Sequence, residues 1–129
     1  MLDESIESLA DLLLSHHHGT ADGITIKLSR VGGVTRAALI RDVAVELGVQ
    51  VTVEDGGGAS IDTAAIVQVS LSTPERMRLH TVDFNAWVSV DNADGMPPRE
   101  EGALGRPARP GLGVEVREAA LGAPIIDLS

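Results

Sequence analysis

The chain has 129 residues, 43% of them hydrophobic, and a mean hydropathy of +0.14, a composition that builds a buried core rather than a disordered coil. A net charge of −9, with ten scattered Lys and Arg residues, leaves no basic track for nucleic acid, so no nucleic-acid partner is expected. The absence of cysteine excludes disulfides and thiolate chemistry, and no run approaches the roughly 18 apolar residues of a membrane span.

The first segment is acidic where a secretory leader would be basic, which together with the missing cysteines suits a cytoplasmic setting. Residues 5–15 carry Ile6, Leu9, Leu12 and Leu13 at helical spacing, with Gly19 as a stop. The run His16-His17-His18 follows on that helix; consecutive helical residues point in different directions, so it reads as a solvated helix end rather than a ligand face. Gly23 to Leu28 alternates as a short strand, and Gly32-Gly33 breaks the chain. Thr35 can cap a second helix with Ala38, Leu39, Val43 and Leu47 on its apolar stripe, ended by Gly48. Val49 to Val53 predicts a second strand and Gly56-Gly57-Gly58 a turn. A third helix, capped by Ser60 or Asp62, runs through Ala64, Ala65, Val67 and Leu71. Beyond Pro74, Arg78 to Val82 reads as a third strand.

After Phe84 the rhythm fails. Residues 96–113 hold four of the six prolines and read as loop or tail, with short extended pieces expected at 87–91, 114–116 and 124–128. Alternating strand and helix at this spacing is the pattern of a parallel α/β sheet. In such sheets, reactive residues gather where strands end. Asp3 and Glu4 precede the first helix, Lys27 lies in the first strand, Glu54 and Asp55 end the second, and Asp83 ends the third. Each also has an ordinary reading: Asp3 as a helix cap, and Glu54, Asp55 and Asp83 as turn acids. Lys27 is the odd one, because a buried ammonium needs a partner and so points to a site or to solvent.

The words around these residues are more specific. Asp3-Glu4-Ser5, then Ile24 to Thr35 with Ile26-Lys27 and Arg30 before Gly32-Gly33, resemble strands five and six of the muconate-lactonizing branch of the enolase superfamily. Thr81 to Asn85 resembles its eighth-strand motif, and Pro110 to Val114 its C-terminal tail. Within that superfamily the chain looks most like dehydratases acting on cis-3-hydroxy-L-proline. That likeness rests on Thr52 to Gly58, Thr63 to Ile66, Asp83 to Asn85 and Asp94 to Arg99. The loop Gly56 to Ser60 departs from the pattern, which has a bulky residue and an acid there.

The resemblance implies the C-terminal half of a (β/α)8 barrel. Residues 1–86 would run from the end of strand five through strand eight, and 87–129 would be a tail packing on a capping domain outside this chain. A full barrel takes about 250 residues, so strands one to four would come from elsewhere and this chain alone would be inactive. The implied chemistry is Mg2+-dependent removal of the proton next to a carboxylate. Asp3 would be a metal ligand, Lys27 an acid/base lysine with its pKa lowered toward neutrality, and Glu4 a hydrogen-bonding support. Asp83, with Glu54 and Asp55, would contact an amino- or imino-acid substrate. Dehydration, epimerisation and cycloisomerisation all start from the same enolate and stay open. Two other readings remain: a self-associating α/β module that closes into a barrel-like dimer, and a small doubly wound domain binding an anion at Gly56-Gly57-Gly58.

Overall fold

The computed structural model describes residues 1–54, 57–83, 87–96 and 98–126. Its centre is a parallel sheet of β1 (Gly23–Lys27), β2 (Gln50–Glu54) and β3 (Arg78–Thr81), in that order. Leu2 adds one more parallel position beyond β1, its N–H donating to Gly23 O (2.9 Å) and its carbonyl accepting from Thr25 N (2.8 Å). Four consecutive parallel positions, linked by helices, follow from the strand–helix rhythm of the sequence.

The helices that link these strands are α1 (Leu9–His18), the one-turn α2 (Leu28–Val31), α3 (Val34–Glu46) and α4 (Ala59–Leu71). Helix α1 starts later than the apolar spacing predicts. The Ser8 hydroxyl donates to Asp11 Oδ2 (2.7 Å) and accepts from Asp11 N, while the same carboxylate takes the Glu7 N–H (3.2 Å), a reciprocal cap that fixes the first turn. Ile6 lies ahead of the cap and is still buried, whereas Leu13 is 47% exposed. The helix ends at Gly19 in the left-handed region, as expected, and the three histidines are exposed.

Two details of α3 differ from expectation. Its cap position is Gly33, with Thr35 inside the first turn, and its buried stripe is Ala37, Ile40, Arg41 and Ala44 rather than one containing Leu39. Arg41 is tolerated because its Nη1 donates to Val69 O (3.1 Å) and Ser72 Oγ (2.7 Å) at the far end of α4. Helix α4 is buried nearly all round, with the sheet on one side and the tail on another.

The two faces of the sheet have different chemistry, because side chains alternate along a strand. Ile24, Ile26, Val51 and Val53 join Leu12, Ile40, Ala44, Ile66 and Val69 in the core beneath the helices. The opposite, concave face carries Gly23, Thr25, Lys27, Gln50, Thr52 and Glu54, and Leu79 reaches across to Gly23.

In the tail, β4 (Ala93–Asp94) pairs antiparallel with β7 (Glu115–Val116), and β5 (Arg99–Glu100) with β6 (Ala103–Leu104). The one-turn α5 (Glu118–Leu121) follows. Asn92 ties the tail to α4 by accepting from Ile61 N (3.1 Å) and donating to Gly58 O (3.0 Å). The piece expected at 114–116 is thus a strand, while no strand forms among the described residues of 87–91 and 124–126. Positions 127 and 128 lie outside the described residues.

Candidate functional site

The register of β1 and β2 builds the site. Lys27 and Glu54 are direct partners at the carboxyl ends of these strands, so both side chains stand on the concave face. Asp3 follows the Leu2 bridge at the same end of the sheet. Lys27 Nζ lies 2.8 Å from Glu54 Oε1, 3.1 Å from Glu4 Oε1 and 3.2 Å from Asp3 Oδ1. Three carboxylates thus surround one ammonium, whose side chain is only 16% exposed.

Arg30 completes the cluster. It sits on α2, one helical turn past Lys27, and its Nη1 donates to both the backbone carbonyl (3.0 Å) and Oδ1 (3.1 Å) of Asp3. The Asp3 carboxylate is thereby fixed by two cations. Burial raises its pKa, but the hydrogen bonds and charges of Arg30 and Lys27 outweigh that and hold it below the usual range.

The carboxylates decide the state of Lys27 when no dication stands beside it. The hydrogen bond to Glu54, with those to Glu4 and Asp3, outweighs burial and raises the ammonium above its ordinary value. The lowering toward neutrality expected beside a dication belongs to a metal-bound site.

Asp83 has partners of its own. It accepts from Thr63 Oγ1 of α4 (2.9 Å) and from Arg99 Nε of β5 (2.5 Å), so the tail reaches back onto the end of β3. Asp55 lies outside the described residues. At Gly58 the Asp62 carboxylate accepts the backbone N–H (3.4 Å), which places negative charge where the anion-binding reading needed an open N–H.

Magnesium takes hard oxygen ligands, and the Asp3 carboxylate at a strand end has the right chemistry. Among the described residues no group of three or more His, Cys, Asp or Glu stands where it could hold a metal ion.

Consecutive parallel strands with helices on one face and a charged cluster at their carboxyl ends define a segment of a (β/α) barrel. The chain belongs to the enolase C-terminal domain-like family, whose model matches residues 1–120. It is 38% identical over 125 residues to cis-3-hydroxy-L-proline dehydratase from Roseibium aggregatum, covering 97% of this chain and 34% of that protein. A mandelate racemase/muconate lactonizing enzyme from Roseovarius nubinhibens ISM superposes with a TM-score of 0.89 at 29% identity, over 96% of this chain and 34% of that one. A member of the enolase superfamily from the same organism, complexed with magnesium, gives a TM-score of 0.89 at 38% identity, over 98% and 35%. The chain thus spans about a third of the length of these relatives, the C-terminal part of the barrel.

Arg30, Thr63 and Arg99 lie within the motifs that carry the resemblance, but sequence reasoning gave none of them a place in the site. For Arg30 the spacing could have done so: it stands three residues after Lys27 and just before Gly32-Gly33, so a single helical turn returns it to the same strand end. For Arg99 it could not, because only the folded tail brings it to Asp83.

Proposed function

We propose that this chain is the C-terminal barrel portion of a Mg2+-dependent enzyme that removes the proton next to a carboxylate, a dehydratase of cis-3-hydroxy-L-proline or a related imino acid. The observation that carries this reading is the contact of Lys27 with Asp3 across adjacent strand ends. A lysine and a metal-binding carboxylate at that distance can act on one bound carboxylic acid. The similarity to the dehydratase supports the substrate class.

In this reading Asp3 offers its oxygens to the metal, with the remaining ligands and a second acid/base lysine coming from strands outside the chain. Bound magnesium supplies positive charge that stabilises an enolate. Arg30 keeps the Asp3 carboxylate aimed into the site. Lys27, held as an ammonium, delivers a proton to the leaving hydroxyl or to the enolate face, and it acts as a base only when its carboxylate partners are otherwise engaged. Glu4 supports Lys27 from the solvent side, and Glu54 fixes it from the neighbouring strand. Asp83 exchanges the Arg99 guanidinium for a substrate ammonium, and Asp55 borders the same substrate. A cytoplasmic setting fits a cysteine-free chain in which, among the described residues, no helix is long and apolar enough to cross a membrane.

The test is a chimera in which residues 1–120 replace the matching third of the Roseibium aggregatum dehydratase. With magnesium and cis-3-hydroxy-L-proline in deuterated water, NMR should show dehydration product. The Lys27→Ala chimera should be slower by about 10²–10⁴-fold, the usual worth of a positioned acid or base. A folded chimera without turnover, or one indifferent to Lys27→Ala, would overturn the reading.

A further inference from the structure

The carboxylates at the strand ends do not draw their countercharge from one source. Asp3, Glu4 and Glu54 meet Lys27 of β1 and Arg30 of α2, cations carried by the barrel segment itself. Asp83 meets Arg99, which comes from the tail. The carboxylate is firmly placed. It lies two residues past Thr81, the position level with Val53, and Thr63 Oγ1 of α4 donates to its Oδ1 (2.9 Å). Its side chain is 16% exposed, so a negative charge there calls for a cation. The arginine is held less firmly. It sits in a hairpin of two residue pairs, Arg99 with Leu104 and Glu100 with Ala103, and no residue from 98 to 106 belongs to the hydrophobic core. A two-stranded hairpin is marginal by itself in water.

We propose that Arg99 is a specificity-determining residue, an internal cation that lets the Asp83 position accept carboxylate ligands with or without an ammonium group. The inference rests on the proposed reading of Asp83 as a substrate contact and widens the substrate class that follows from it. A zwitterionic amino or imino acid brings its own ammonium, so it displaces the hairpin arginine and leaves the carboxylate compensated. An acid of the same shape without the ammonium makes no such exchange. It binds beside the intact pair, because Arg99 cancels the charge that would otherwise repel its carboxylate. The two classes therefore want opposite things of Arg99. For the zwitterion the guanidinium is a competitor, and for the plain carboxylate it is a screen. The tail, which reads from sequence as loop, thus takes part in choosing the ligand.

The test measures binding rather than turnover. The chimera carrying residues 1–120 in the Roseibium aggregatum dehydratase, loaded with magnesium, is titrated by calorimetry with two ligands. One is L-proline; the other is tetrahydrofuran-2-carboxylate, with an analogous ring and carboxylate but no ammonium. In Arg99→Ala, L-proline should bind about 3–10-fold more tightly and the oxygen analogue about 3–10-fold more weakly, the worth of one partly exposed ion pair. Opposite shifts are the signature, since a purely structural loss of the hairpin would move both affinities the same way. Shifts of one sign, no shift for either ligand, or no binding of L-proline by either form would each overturn the proposal. A chimera that shows the opposite shifts yet fails to dehydrate cis-3-hydroxy-L-proline would instead count against the reaction alone.

Discussion

Glu54 and Lys27 stand at the same level of neighbouring strands, and that register decides the electrostatics of the whole cluster. Glu54 has a side chain only 11% exposed, and the ammonium 2.8 Å away is its partner there. Lys27→Met removes that partner while keeping most of the packing volume. It should cost about 1–3 kcal/mol in urea unfolding at neutral pH, the usual penalty for an orphaned polar group. The pH dependence should change form as well. With Lys27 present, its raised pKa makes its contribution complete below the ordinary lysine range and lost only as pH climbs beyond it. The lowered pKa of Asp3 makes its contribution complete above the ordinary carboxylate range and lost as pH falls through the folded value. The cluster should therefore contribute a plateau between about pH 5 and pH 9. In Lys27→Met one of the two cations that hold the Asp3 pKa down is gone, so the loss of stability on acidification should be smaller in the variant. A variant with the same acid profile would show that Lys27 does not hold the cluster together. Asp3, Glu4, Lys27 and Glu54 were legible in the sequence because strand ends collect reactive groups. The direction of the Lys27 shift was not, since it depends on which carboxylates reach Nζ in space.

At the level of elements, two positions carry more than their surroundings suggest. Gly33 enters α3 with φ 101° and ψ −177°, a region open essentially to glycine alone. Gly33→Ala should destabilise the chain by about 1–3 kcal/mol by thermal or urea unfolding, although a Cβ there would meet no atom within 4 Å. A neutral result would mean that the junction between α2 and α3 can relax. Arg41 is the other. It binds the carbonyl and hydroxyl groups at the C-terminal end of α4 from within the buried stripe of α3. Arg41→Met keeps the stem and strands those acceptors, and about 2 kcal/mol should be lost, with the earliest gain in hydrogen exchange around residues 69–73. The same arginine explains why the stripe of α3 was misread. Apolar spacing favoured Leu39, which is exposed, although Val43 and Leu47 do pack against the core, and a charged residue at the centre of the true stripe hid it. The onset of α1 was missed for a related reason, because Ile6 matches the helical period but is buried ahead of the cap that Ser8 forms with Asp11.

For the whole molecule, the strand–helix alternation from Asp3 to Val82 was readable because each segment repeats a short local pattern. The tail was not, since its two-residue strands are defined by their partners: β4 finds β7 about 20 residues away. One side chain joins the tail to the helical layer: Asn92 accepts from Ile61 N and donates to Gly58 O at the start of α4. Asn92→Ala leaves both backbone groups without that partner, so the tail should loosen before the sheet does. Hydrogen exchange should speed up first at residues 93–94 and 115–116, the β4 and β7 pair, while β1 and β2 keep their protection. Equal acceleration in both regions would mean that tail and sheet open as one unit.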